Sequence, residues 1–200
     1  MRKKLITAII ALSLALCCLI GVTLAYLVDS TGTIENVFNP QNISVDLTET
    51  VRTYNMVPGI TLDKNPTVAI DTDVACYVFV EITETGSVTI DNVNYTFDEF
   101  LTYAVDSGWS ILNTVTETAN ANETYVFYRI VAAGTNTTYK VLDGDKVTVN
   151  ETVTKKMMDA LETAGSDNYP KLTFQAYATQ MTKDGTTNFE PAEAWANCGG

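Results

Sequence analysis

The 200-residue sequence contains no histidine. That removes the side chain that most often acts as a general base near neutral pH and as a zinc ligand. It excludes Ser-His-Asp and Cys-His nucleophilic arrangements and the H-E-x-x-H pattern of zinc proteases. Carboxylates, Lys and Tyr remain for acid-base work, so the lack of histidine argues against an enzyme without excluding one, and no cofactor is expected. Basic residues are scarce as well: 12 Lys plus Arg stand against 24 Asp plus Glu, a formal charge of −12. An acidic surface repels phosphates and anionic headgroups, which makes nucleic acid an unexpected partner. There is no internal repeat, no low-complexity linker and no L-P-x-T-G sorting signal.

Only one long apolar run is present, and it stands at the start of the chain. Arg2, Lys3 and Lys4 precede a stretch from Leu5 to Ile20 rich in Leu, Ile and Ala, the layout of an export signal. Thr23 and Ala25 place small residues three positions and one position before Tyr26, which suits the shallow pockets of a signal peptidase. The expected product begins at Tyr26, with nine basic and 24 acidic residues and a net charge of −15. Two other readings stay open. The uncharged run from Leu5 to Val28 is long enough to cross a bilayer as an uncut anchor, and Cys17 or Cys18 is a candidate for lipidation, although Leu16 is a poor residue to precede a lipidated cysteine. Contact with a membrane is therefore expected only through the leader.

Cleavage also divides the four cysteines. Cys17 and Cys18 leave with the leader, and Cys76 and Cys198 remain. An exported chain with two cysteines can close a disulfide; the alternative is a small buried hydrophobe at Cys76 and a thiol in the tail at Cys198.

Downstream, the body alternates in the manner of strands. Ile43, Val45, Leu47 and Val51 share one face of a segment whose other face is polar. Val57-Pro58-Gly59 is a turn, and a second extended segment surrounds Thr67 to Ile70. The strongest strand is Val74 to Thr83, in which Val74, Cys76, Val78, Val80 and Ile82 form a wholly apolar face, so it is expected at the centre of the core. Ser87 to Ile90 and Val93 to Phe97 read as a hairpin through Asp91-Asn92. Phe97, Phe100, Leu101, Ala104 and Val105 then recur at helical spacing, with Thr96 and Glu99 as a capping box and Gly108 as the stop. Trp109 to Val115 and Tyr125 to Ala132 are expected to pair, and Tyr139 to Leu142 and Lys146 to Val149 to flank a turn at Asp143-Gly144-Asp145. Val153, Met157 and Leu161 space a second helix, stopped by Gly165. Lys171 to Thr179 is the last strand, and Pro191 opens a closing helix anchored by Trp195. Many short strands with closely spaced turns predict an antiparallel β-sandwich.

Several motifs in this order resemble a known family. Gly21 to Asp29, Asn36-Val37-Phe38, Ile43 to Leu47, Val57-Pro58-Gly59 with Lys64, Ala75 to Val80, Phe127 to Gly134, Phe174 to Gln180 and Ala194-Trp195 together are similar to TasA/camelysin-type exported proteins. The resemblance covers nearly the whole chain. It implies a leader removed by a SipW-type signal peptidase, and a jelly-roll β-sandwich with two or three short helices after an N-terminal signal helix. It also implies a place in the extracellular matrix or on the cell surface of a Gram-positive-type bacterium. On this reading residues 1–25 are the signal peptide, 26–40 an N-terminal arm and 41–200 the sandwich.

The arm carries the functional expectation. Tyr26, Leu27, Val28, Ile34, Val37 and Phe38 are strand-forming residues that cleavage would place at a free end. A free strand either folds back on its own domain or adds to a sheet edge of a neighbour. The resemblance implies the second, with head-to-tail biofilm matrix fibres as the product and the same or a homologous protein as the partner. An accessory or adhesive module that caps or anchors another fibre is the alternative. Camelysin-like relatives are described as surface metalloproteases, but this sequence has no H-E-x-x-H, no histidine and no paired cysteine ligands, and a carboxylate-only zinc site would be unusual. Asp143 and Asp145, like Asp71 and Asp73, are weak calcium candidates that read better as ordinary turn residues. Tyr77, Tyr125, Tyr128 and Tyr177 read as packing residues or as an aromatic platform.

Overall fold

A computed structural model of the chain describes residues 42–50, 54–117 and 122–198, with backbone alone for 113–117. The signal-peptidase residues Thr23, Ala25 and Tyr26 and the arm through Phe38 lie outside the described residues.

The order is β1 (Ile43–Thr48), β2 (Thr61–Asp63), β3 (Thr67–Thr72), β4 (Cys76–Thr85), β5 (Val88–Ile90), β6 (Val93–Tyr95), α1 (Phe97–Phe100), β7 (Leu101–Val105), β8 (Ser110–Glu117), β9 (Asn122–Val131), β10 (Thr135–Lys140), β11 (Leu142–Val149), α2 (Lys155–Ala164), β12 (Lys171–Gln180) and α3 (Pro191–Cys198). All the strand pairings are antiparallel. One layer has the order β12-β4-β9-β8. The other is built from β1-β3-β10 and β2-β11-β7, and β5-β6 is a separate hairpin. The consecutive strands β3 and β4 lie in different layers, and so do β9 and β10; β3 pairs with β10 while β4 pairs with β9. Two ribbons that cross together from one layer to the other make this sandwich a jelly roll.

Alternation along β4 explains why it is central. Cys76, Val78, Val80 and Ile82 are fully buried between the layers, where they meet Val68 and Ile70 of β3 and Leu142 and Val147 of β11. The opposite face of β4 is buried too. Tyr77 and Phe79 pack with Val126 beneath α3, whose Trp195 ring lies 5.3 Å from Phe79 and 5.1 Å from Tyr177. The Tyr77 hydroxyl donates to the Phe189 carbonyl at 2.9 Å, so these tyrosines are packing residues. A satellite core of Phe100, Val149, Val153, Met157 and Leu161 seats α2. That helix starts where the Met157 N–H donates to the Thr154 hydroxyl at 3.3 Å, and it ends at Gly165 with φ +90°.

Two local expectations are corrected. The helix expected from Phe97 as far as Gly108 is a single turn: Thr96 N–H donates to the Glu99 carboxylate at 2.6 Å, as the capping box requires, yet Leu101 to Val105 is strand β7. Leu101-Thr102-Tyr103-Ala104-Val105 also satisfies a period of two, and pairing of Leu101 with Val149 and Tyr103 with Val147 decides in favour of the strand. Gly108 turns the chain after Asp106 instead, where its N–H bonds the Asp106 carboxylate at 2.9 Å. The second correction concerns Asp143-Gly144-Asp145, which is not a turn between two paired strands. It is a bulge inside β11, with φ +60° at Gly144 and +57° at Asp145. Across it the pairing with β7 jumps from Leu142–Val105 to Val147–Tyr103.

Candidate functional site

Two regions of the sandwich carry features that a packed core does not need. The first is the edge where the two layers meet. β12 pairs with β4 and β1 pairs with β3, each on one side, so among the described residues both are edge strands. Their Cα atoms come within 8 Å of one another. Along this edge three cavities of about 460, 380 and 320 Å³ adjoin. Tyr54, Met56 and Tyr169 line both the first and the second, and Lys64 and Leu172 line both the second and the third. The groove therefore runs from α2 past Met56 and Leu62 to Leu47 and Phe174.

Lys64 sits in the middle of this groove, only 8 % exposed. Its ammonium donates to Glu49 at 2.6 Å and lies 5.3 Å and 5.4 Å from the Phe174 and Tyr54 ring centres. A buried lysine requires such partners, because desolvation of an unpaired charge is costly. The pair fastens the end of β1 to the face of β12.

The second region is at one end of the inner core. Glu84 continues the buried series Cys76, Val78, Val80, Ile82 by the two-residue period, so a carboxylate stands where an apolar side chain belongs, 4 % exposed. The register puts Glu123 of β9 directly opposite it. Asp98 of α1 completes the group: one carboxylate oxygen from each residue lies within 4.8 Å of the others. No Lys or Arg forms an ion pair with any of the three among the described residues. The Tyr103 hydroxyl hydrogen-bonds Glu84, and the Tyr125 hydroxyl donates to Glu123.

Burial pushes the Glu84 carboxyl up to about 7; the Tyr103 bond works against this, while the Asp98 and Glu123 charges add to it. Asp98 is raised by burial and by Glu123 and Glu99. Both tyrosines are raised, first by burial and then by their carboxylate partners. A cavity of about 290 Å³, lined by Glu84, Asp98, Tyr103 and Tyr125 with Leu101 and Phe127, opens beside the cluster. Sequence reasoning missed this cluster, although one signal was available: the charge at Glu84 breaks the apolar alternation of the strongest strand.

No family model, no curated protein and no solved structure matches this chain.

Of the residues expected from sequence, Cys76 and Cys198 are both free thiols. Cys76 belongs to the cluster between the layers and Cys198 packs with Phe79 and Trp195 in the cluster beneath α3, so the structure does not bring the two sulfurs together. Asp143 and Asp145 are joined by no third acidic ligand among the described residues. Asp143 is exposed, and Asp145 bonds the Lys140 ammonium, which supplies the cation. Asp71 is exposed on β3, and Asp73 accepts the Asn42 N–H at 3.2 Å. Among the described residues no helix is long and apolar enough to cross a membrane.

Proposed function

We propose that this chain is an exported structural protein that assembles into extracellular matrix fibres once its leader has been removed. The N-terminal arm, residues 26–38, adds as a strand to the sandwich edge of the next molecule. The observation that carries this reading is the state of β12. It is ten residues long, contains no proline, and bears one charged side chain, Lys171, at its very start. Natural sheets protect edges with short strands, prolines, bulges or inward charges, because an unpaired row of N–H and C=O groups is a template for another strand. An edge left unguarded among the described residues, beside a groove, supports a role in strand addition, where backbone bonds give affinity and side-chain pockets give register.

The arm suits such a groove. Leu27, Ile34, Val37 and Phe38 are apolar, and Leu47, Leu172 and Phe174 line the receiving end. A contact between one molecule's arm and another's edge is heterologous and does not close, so it propagates as a fibre. The sequence resemblance to TasA-type exported proteins points the same way. This function requires no reaction centre. The experiment is electron microscopy of the chain beginning at Tyr26, beside a form extended at its N-terminus. Fibres from the first alone support the proposal; monomers from both, across concentration and pH, defeat it.

A further inference from the structure

We propose that Glu84, Asp98 and Glu123 form a proton-held clasp that joins β4, α1 and β9, closed while the three carboxylates share a proton and loosened when that proton leaves. This goes beyond the fibre reading and does not depend on it. The geometry creates the need. Glu84 and Glu123 are cross-strand partners, and like charges directly opposite repel. Asp98 brings a third oxygen within the same 4.8 Å. With one proton in the group, a carboxylic O–H can donate to a neighbouring carboxylate, and repulsion becomes a charge-assisted hydrogen bond. Without it, three negative charges face one another in a partly desolvated pocket.

Among the described residues, no element packed against Glu84 pairs it with a compensating charge. β7 presents Tyr103 and β9 presents Tyr125 and Glu123. From α1 comes Asp98, while Glu99 is turned back to the Thr96 N–H. On β12 the residue paired with Glu84 is Leu172, and the ammonium of Lys171 is directed to the Asp167 carbonyl at 3.5 Å. The nearest groups are thus acids and phenols, and the proton is the cation available from the chain's own chemistry. Burial supports the same conclusion, since it holds the Glu84 proton toward neutral pH.

Loss of the proton acts on α1 first. This helix is a single turn, held on its other side by Asn150, whose amide donates to the Asp98 carbonyl at 2.7 Å. Repulsion at the Asp98 side chain pulls against that bond. The clasp is tested by hydrogen exchange on the full-length chain from pH 5.5 to 8.5 in the presence of EDTA, with rates corrected for the intrinsic pH dependence. We expect the amides of residues 97–101 and 82–85 to lose protection across neutral pH by roughly tenfold, while the centre of β4 does not change. Glu84→Gln should abolish that pH dependence. Tyr103→Phe removes a bond that favours the carboxylate, and should move the transition to higher pH. In the wild-type chain, a glutamate carboxyl carbon should titrate near neutral pH by NMR, a readout that needs no variant to fold. Protection independent of pH, glutamates that all titrate near pH 4 to 5, or protection at pH 8 restored when calcium replaces EDTA would each overturn the proposal, the last by showing a cation clasp instead.

Discussion

The guanidinium carbon of Arg129 lies 3.6 Å from the centre of the Tyr139 ring. Arg129 belongs to β9 and Tyr139 to β10, so this stack ties the two layers together across the crossover of the chain. Trp109 flanks it at 5.1 Å and is itself fixed by its indole N–H, which donates to the Lys140 carbonyl at 2.7 Å. Desolvated cation–π contacts contribute about 2 kcal/mol. Arg129→Ala should therefore lower the urea unfolding free energy by about 2 kcal/mol. Lys at this position should recover only part of it, because an ammonium does not stack as a planar guanidinium does.

Gly86 provides a sharper test of local geometry. It has φ +105°, and a Cβ there would stand 2.4 Å from the Tyr169 carbonyl oxygen, a backbone atom that cannot swing away. Gly86→Ala should cost about 3 kcal/mol, whereas Gly134→Ala, with φ +71° and nothing within 4 Å, should cost about 1 kcal/mol. Chemical denaturation of the two variants side by side measures the difference.

The pH dependence of stability follows from Glu84. Its carboxyl is raised from 4.5 to about 7 in the folded chain, so the folded form holds the proton more tightly than the unfolded form. The stability this contributes is complete below about pH 4.5 and is lost as pH rises through about 7. A shift of this size corresponds to roughly 3 kcal/mol. The stability difference between the wild-type chain and Glu84→Gln should thus change by that order between pH 5 and pH 8, in favour of the variant at the higher pH. Thermal midpoints across this range are the measurement.

Thiol accessibility separates the two cysteines. Cys76 is fully buried and Cys198 is intermediate, and burial raises both thiols. Native protein should release at most a slow reaction at Cys198 with a thiol reagent, and denatured protein should titrate both without prior reduction. A reduction requirement for that second result would show a disulfide between them instead.

Much of this fold can be read from alternation. The central place of β4, the Asp91-Asn92 hairpin with φ +52° and +64°, the β8–β9 pairing, α2 and the closing helix follow from periods and turn residues. Where the pattern fits two periods at once, as from Phe97 to Val105, local sequence cannot choose, because the choice belongs to the β11 partner. The Asp143 to Asp145 bulge was hidden for a related reason: turn residues look alike whether they end a strand or kink it. The carboxylate cluster draws its members from positions 84, 98 and 123, which only the register brings together. Glu84 alone was visible, as a charge on an apolar face.

The exposed face of β12 offers a way to block assembly without unfolding the domain. Thr173 and Gln175 are exposed on this strand, and a lysine at either position adds the kind of guard natural edges use. Thr173→Lys with Gln175→Lys should leave the urea midpoint within about 0.5 kcal/mol of wild type and reduce polymer yield sharply. Light scattering with a parallel unfolding curve reads both quantities.

The central claim is tested most directly by electron microscopy of two forms of the chain at equal concentration, one beginning at Tyr26 and one beginning at Asn39. The account predicts fibres from the first and dispersed monomers from the second, with the same folded sandwich in both by circular dichroism. Fibres of equal yield from the form that lacks residues 26–38 would contradict it.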